Sequence, residues 1–320
     1  MIFSIISSTI LILFLAKNYN YLGNKFGLID KPKKNKVHNT DVALLGGPVV
    51  FLIIIFFIFS SLQEFNLYDF QFYYFTAFFL LGLIDDKINL NSYLKILFVL
   101  LFSITLIKFD ESFLIHKIYF EIFNNEYYFG KLKIAITLFC ILLLYIAINM
   151  SDGINCLLMC FSLFAILIIK FLIFNHSINL LDISFLLSLF FLIYFNYKNK
   201  IFLGNSGASL LAGYFIYNLI NVNYYNQIDV FEVISIFLIM GIDMVRLVSS
   251  RLIEGKNPFD RDLNHLHHLL LKKFSLISTI IIYLLLSFSP ILIATFLETL
   301  TLYFILIPAI IYFFIVKKLI

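Results

Sequence analysis

One pattern leaves this chain few folds to choose from: an apolar run long enough to cross a bilayer, a polar turn, then another such run. Residues 132–148, LKIAITLFCILLLYIAI, show it most plainly. A membrane-crossing helix needs about 20 mostly apolar residues, because its backbone polar groups must be satisfied within the segment. A transmembrane barrel would instead show short segments of alternating polarity. Composition agrees, with 62% apolar side chains, 13% charged residues and a mean hydropathy of +0.99, more than a water-soluble core of this size can absorb. The expectation is an all-α, polytopic transmembrane bundle forming one domain over residues 1–320.

Candidate spans fall at about 2–16, 44–62, 70–84, 93–109, 132–148, 156–174, 183–195, 207–222, 231–248, 276–296 and 301–316, giving 10 or 11 crossings. The first run has no basic residue before it and no small-residue cleavage site after it, so it reads as a retained span rather than a leader. With these spans the loops alternate sides, and 18 of the 23 basic residues share one side. The positive-inside rule makes that side cytoplasmic, with the N-terminus outside and the C-terminus inside. The net charge of +4 is then a topology signal and not a nucleic-acid footprint. Cys140, Cys156 and Cys160 lie in or beside apolar runs without metal-ligand spacing and read as small core residues.

The same alternation places five polar stretches at the cytoplasmic face: residues 30–47, 85–89, 148–157, 196–209 and 257–270. For most lysines in 30–36 a bland reading, as topology signals or contacts to anionic lipid headgroups, stands even with a functional one. Asp85 and Asp86 are more pointed. A carboxylate at a helix C-terminus opposes the macrodipole, and two adjacent carboxylates repel each other, so a cation is expected beside them. Oxygen donors at an aqueous membrane edge suit Mg²⁺, which keeps waters and substrate phosphate in its shell. Asp152 reads either as a functional acid or, with Ser151, as a cap for the following helix. LGNSGAS (203–209) leads into a helix whose first N–H groups could meet a phosphate, although any tight turn uses such residues.

HLHH concentrates three of the six histidines. Helical spacing puts His265 and His268 on one face, with His267 turned aside and Asp262 one turn earlier. Zinc would want a tighter convergent set, so the imidazoles are expected to bind an anion such as pyrophosphate. Asp243 and Arg246 read as an internal ion pair. A transporter would carry ionisable groups near mid-bilayer, and only Lys170 lies well inside a span, near enough to its outer end to snorkel.

In order along the chain, DKPKKNKVH, GG, GLIDDKIN, NMSDGIN, IFLGNSGAS and NPFDRDLNHLHHLL resemble the polyprenyl-phosphate N-acetylhexosamine-1-phosphate transferases, glycosyl transferase family 4, across residues 30–270. The resemblance implies a Mg²⁺-dependent, multi-pass enzyme of the bacterial cytoplasmic membrane. It would transfer a sugar 1-phosphate, in the branch that uses UDP-N-acetylglucosamine, from a UDP-sugar to undecaprenyl phosphate at the cytoplasmic face. UMP would be released, as the first step of cell-envelope polysaccharide synthesis. It further implies Asp85, Asp86 and Asn205 at the metal and Asp85, Asp86, Asp152 and His265 at the reacting groups. Lys36, His38, Asn149, Asp262, His267 and His268 would bind substrate. The family carries aspartate where this chain has Asn89, Asn155 and Asn205, so a weak or silent relative that binds lipid phosphate is the alternative, beside a lipid or sugar transporter. Membrane lipid is an expected partner, nucleic acid is not, and the oligomeric state stays open, a homodimer included.

Overall fold

The structure, a computed structural model, describes residues 9–10, 12–15, 17–32, 40–60, 70–174, 178–259 and 262–319. The chain is a helical membrane protein. Its elements run α1 (Tyr19–Phe26), β1 (Ile29–Asp30), β2 (Val42–Ala43), α2 (Gly46–Ser60), α3 (Phe70–Ile88), α4 (Ser92–Phe109), β3 (Lys117–Phe120), β4 (Asn125–Tyr128), α5 (Lys133–Ser151), α6 (Leu157–Ile168), α7 (Leu180–Tyr197), α8 (Gly204–Tyr225), α9 (Val230–Ile253), α10 (Leu266–Leu271), α11 (Leu276–Phe296) and α12 (Leu302–Leu319). Among the described residues each apolar run from 44–62 onward holds a helix; the run at 2–16 falls largely outside them. Ser92–Phe109, Gly130–Ser151, Leu276–Phe296 and Leu302–Leu319 are long and apolar enough to cross a membrane.

The exterior explains why such helices need lipid. On α12, Ile305, Pro308, Tyr312 and Val316 recur at helical spacing and point inward, while Leu306, Ile310, Phe313 and Phe314 on the other faces are exposed and apolar. A helix that is apolar all round is stable where its outer face meets hydrocarbon rather than water.

Contacts gather the chain into two compact units. One takes the described residues within 1–110, 158–171 and 176–215, the other those within 111–157, 172–175 and 216–320. In the first, β1 and β2 pair antiparallel, Ile29 opposite Ala43, and Ala43 also bridges Ile201 in parallel. That bridge fixes the segment just before α8. In the second, α5, α11 and α12 pack against α9.

Two features depart from the sequence expectation. The first is strand in a bundle expected to be all-α: besides the β1–β2 pair, the segment 109–131 between two spans holds a β3–β4 hairpin in the register Lys117 opposite Tyr128. Asn124 makes its turn with φ +44°, a left-handed conformation asparagine tolerates. The second is Lys170, which does not snorkel. It is buried on a π-helical turn, Ile169–Ile173, with its Nζ 3.1 Å from Asp182. Asp182 also accepts a hydrogen bond from the Tyr214 hydroxyl and forms a reciprocal cap with Asn179. Nearness to the end of a span does not force a lysine outward when a buried carboxylate stands within its reach, as Asp182 does here.

Candidate active site

The first unit holds the acid pair. Asp85 and Asp86 occupy the last turn of α3, where Asn89 ends the helix with φ +50° and donates its N–H to the Asp85 carbonyl. Of the three asparagines standing where the family has aspartate, this one thus has a local part as a helix terminator.

The cation that electrostatics demands beside the pair is on the chain itself. Lys95, in the first turn of α4, places its Nζ 2.6 Å from Asp85 Oδ2, while the Leu90 N–H donates to Oδ1 at 2.8 Å. Asp85 is 2% exposed. Asp86 turns the other way and takes the N–H of Asn205 on Oδ1 at 2.7 Å and of Ser206 on Oδ2 at 2.9 Å. One carboxylate thus sits unfavourably at the C-terminus of α3 and favourably at the N-terminus of α8, and the second placement offsets the first. The close approach depends on Gly82, where a methyl group would collide with the backbone of Asn205 and Ser206.

These bonds correct one expectation. The first N–H groups of the turn at 203–209 are committed to Asp86, so they are not the phosphate cradle the turn sequence suggested. The oxygen donors themselves still fit a hard cation. Each carboxylate oxygen accepts one bond and keeps a lone pair, and the Asn205 side chain sits on the residue whose N–H Asp86 holds.

The second unit holds the histidines. Asp243, near the end of α9, is the centre of a polar group. Its Oδ1 accepts from Arg246 at 2.9 Å and from the Tyr312 hydroxyl at 2.8 Å. Its Oδ2 lies 2.9 Å from His265 Nδ1, and the Leu266 N–H reaches both oxygens at 3.2 and 3.3 Å. Arg246 also donates to Tyr312 and to the Asn264 carbonyl. The expected Asp243–Arg246 ion pair is present, and the same carboxylate also orients a histidine.

The helical wheel drawn for HLHH starts one residue early. His265 is the N-cap of α10, with an extended backbone, and α10 proper begins at Leu266. His267 is therefore not turned aside: its ring stacks on His265 at 5.2 Å and an interplanar angle of 12°, with His268 at 4.4 Å from His267. His267 is 1% exposed and lies against Gly153, where a methyl group would run into its Nε2. Burial pushes His267 well below the ordinary histidine range, and burial, with His265 next, pushes His268 down to about 4. Both are neutral at pH 7.

Asp262 lies in the loop before His265, not on a helical turn. Its Oδ2 accepts from Arg251 Nε and Nη2 at 3.0 and 2.8 Å, and its Oδ1 accepts the Asn264 N–H. Burial works to raise this carboxyl, and the Asn264 N–H and the Arg251 guanidinium outweigh it, holding it below the usual range. Arg251, itself buried, also donates to the Pro258 carbonyl and so ties both ends of the loop to α9.

Asn149, in the last turn of α5, donates to the Tyr145 carbonyl, and Asp152 follows as the C-cap of that helix rather than capping the next. Gly153 brings this stretch against the histidine loop within the same unit. Lys36 and His38 lie outside the described residues. Lys95, Gly153, Arg251 and Tyr312 were not singled out from sequence. Lys95 and Gly153 at least stood inside or beside quoted motifs, whereas Tyr312 carried no signal.

The glycosyl transferase family 4 model matches residues 70–223, from the start of α3 almost to the end of α8, and so covers the acid pair, Asn149–Asn155 and Asn205. Undecaprenyl-phosphate alpha-N-acetylglucosaminyl 1-phosphate transferase of Escherichia coli (strain K12) is 26% identical over 84% of this chain and 75% of its own length. The enzyme of that name from Thermotoga maritima is 28% identical over 86% and 83%. A probable undecaprenyl-phosphate N-acetylglucosaminyl 1-phosphate transferase of Bacillus subtilis is 25% identical over 87% and 80%. The chain is thus similar to glycosyl transferase family 4 over residues 70–223, and to curated undecaprenyl-phosphate N-acetylglucosaminyl 1-phosphate transferases over most of its length.

Proposed function

We propose that this protein transfers N-acetylglucosamine 1-phosphate, or a related N-acetylhexosamine 1-phosphate, from its UDP-sugar to undecaprenyl phosphate at the cytoplasmic membrane face, releasing UMP. The observation that carries the reading is the fixed pair Asp85–Asp86, an oxygen-only donor group with its own lysine at a helix end, within the region that matches the family. The names of the relatives supply the acceptor and the sugar phosphate. Basic residues concentrated on one side of the expected spans support the cytoplasmic placement.

In the reaction a lipid phosphate oxygen attacks the β-phosphorus, the bond from that phosphorus to the α-phosphate oxygen breaks, and UMP leaves with the electron pair. The lipid phosphate, with a second pKa near ~6, is already largely ionised at neutral pH, so general-base help is a minor need. The chain's task is to hold anions together and offset their charge. Asp85 and Asp86, with the Asn205 amide oxygen, would hold Mg²⁺, which when bound neutralises charge on the pyrophosphate. Lys95 keeps the acid pair from repelling an anionic substrate. His265 and His268 donate to the sugar phosphate. Asp262 acts through Arg251 in bracing the loop, since a bare carboxylate would repel phosphate, and His267 packs on Gly153. Asn149 and Asp152 contact the nucleotide, and Lys36 and His38 the lipid phosphate.

A second reading, a silent relative that binds lipid phosphate without turnover, is favoured by one observation: Asn205 brings no charge to the metal. The test for both is UMP release by detergent-purified protein given Mg²⁺, undecaprenyl phosphate and a panel of UDP-sugars. Release with one UDP-N-acetylhexosamine supports transfer; no release across the panel supports silence.

A further inference from the structure

The donor set that a borderline metal ion wants, absent from the spacing of HLHH alone, is completed by Asp243. Asp243, His265 and His267 each offer a ligand atom, and these atoms all lie within 4.8 Å of one another. The two oxygens of Asp243 divide the work: Oδ1 faces Arg246 and Tyr312, and Oδ2 faces His265. A second observation is independent of that convergence. His267 is 1% exposed, yet among the described residues neither of its ring nitrogens has a hydrogen-bond partner. A buried, unpaired imidazole costs free energy unless something binds it. Leu263 and Asn264, just before His265, are exposed, so only one short loop separates the group from water.

We propose that Asp243, His265 and His267 form a second divalent-cation site, distinct from the acid pair in chemistry and selective for a borderline transition ion of the Zn²⁺ class over Mg²⁺. Two imidazoles and one carboxylate with open positions suit such ions, whereas Mg²⁺ demands oxygen donors. On binding, the cation takes the place of the proton shared by Asp243 and His265, and that proton goes to solvent. Arg246, on the opposite oxygen of Asp243, keeps the site from a larger negative charge and so limits its affinity for hard cations. The consequence for catalysis rests on the function proposed above: an ion held there removes His265 from the sugar phosphate, so the site is inhibitory.

The test is a Co²⁺ titration of the full-length, detergent-purified protein in excess Mg²⁺, followed by visible absorption. One equivalent of Co²⁺ is expected to give the intense bands of a low-coordinate nitrogen-ligated ion, displaced by Zn²⁺. His265→Ala and His267→Ala should each lose the bands, and Asp85→Asn should keep them. X-ray absorption of the Zn²⁺-loaded wild-type chain needs no variant and should show imidazole scattering in the outer shell. An oxygen-only shell, or bands that persist in His267→Ala or vanish in Asp85→Asn, would overturn the site. In parallel, Zn²⁺ should suppress UMP release in excess Mg²⁺. If metal binds as described but no UMP is released from any UDP-sugar, the site stands and the transferase reading alone fails.

Discussion

The acid pair and the histidine loop solve opposite problems. Asp85 and Asp86 sit where a helix end repels them, yet both carboxylates have partners: a lysine and an N–H for one, two N–H groups of another helix for the other. The histidines sit where a loop enters the protein; one is tied to Asp243, and the most enclosed has no partner among the described residues. Charge in the first region is balanced within the fold, so a ligand there must compete with Lys95 and backbone N–H groups. In the second region the fold leaves donor atoms open, and a ligand would remove a cost already present.

The sharpest way to break this contrast is Asp85→Asn. If the acid pair serves the reaction, UMP release falls by about 100-fold or more, the scale of losing one electrostatic stabiliser, while the protein elutes as wild type. Next comes Arg251→Ala, which leaves the buried end of α9 without the guanidinium that holds Asp262 and the Pro258 carbonyl. A loss of about 1–3 kcal/mol is expected, read as a lower thermal midpoint in detergent and faster proteolysis within 254–264. Gly153→Ala puts a methyl group against His267 and should cost about 1–3 kcal/mol by overpacking, with the loss suppressed in Gly153→Ala/His267→Ala, where the obstructing ring is gone.

The smallest effect is a pH dependence. His268 titrates at about 4 when folded, and an unfolded histidine near ~6.5, so between these values the unfolded chain binds more protons. Stability should therefore fall as pH drops from about 6.5 through 4, and His268→Gln should flatten that slope in thermal unfolding scans. A slope unchanged by the substitution would place the burial penalty elsewhere.

Much of this was legible in residues. Length and apolarity located the helices because lipid forces each to satisfy its own backbone. The adjacency of Asp85 and Asp86 announced a need for positive charge, and the crowding of HLHH announced a site. What stayed hidden required the chain to return on itself. Asp86 meets Asn205 across 119 residues, and Tyr312 reaches Asp243 across 69, with no local pattern to mark either. His267 was placed on the wrong face because His265 is an extended N-cap outside the helix that begins at Leu266, so helical spacing does not relate its ring to those that follow. Lys170 escaped because its partner, Asp182, lies on the next helix and no local pattern joins the two.

UMP release from UDP-N-acetylglucosamine, with undecaprenyl phosphate and Mg²⁺, compared between the wild-type chain and Asp85→Asn, tests the central claim most directly. Release that needs Mg²⁺ and is nearly abolished in the variant is the expected result. Release that continues undiminished in Asp85→Asn, or without any divalent cation, would contradict it.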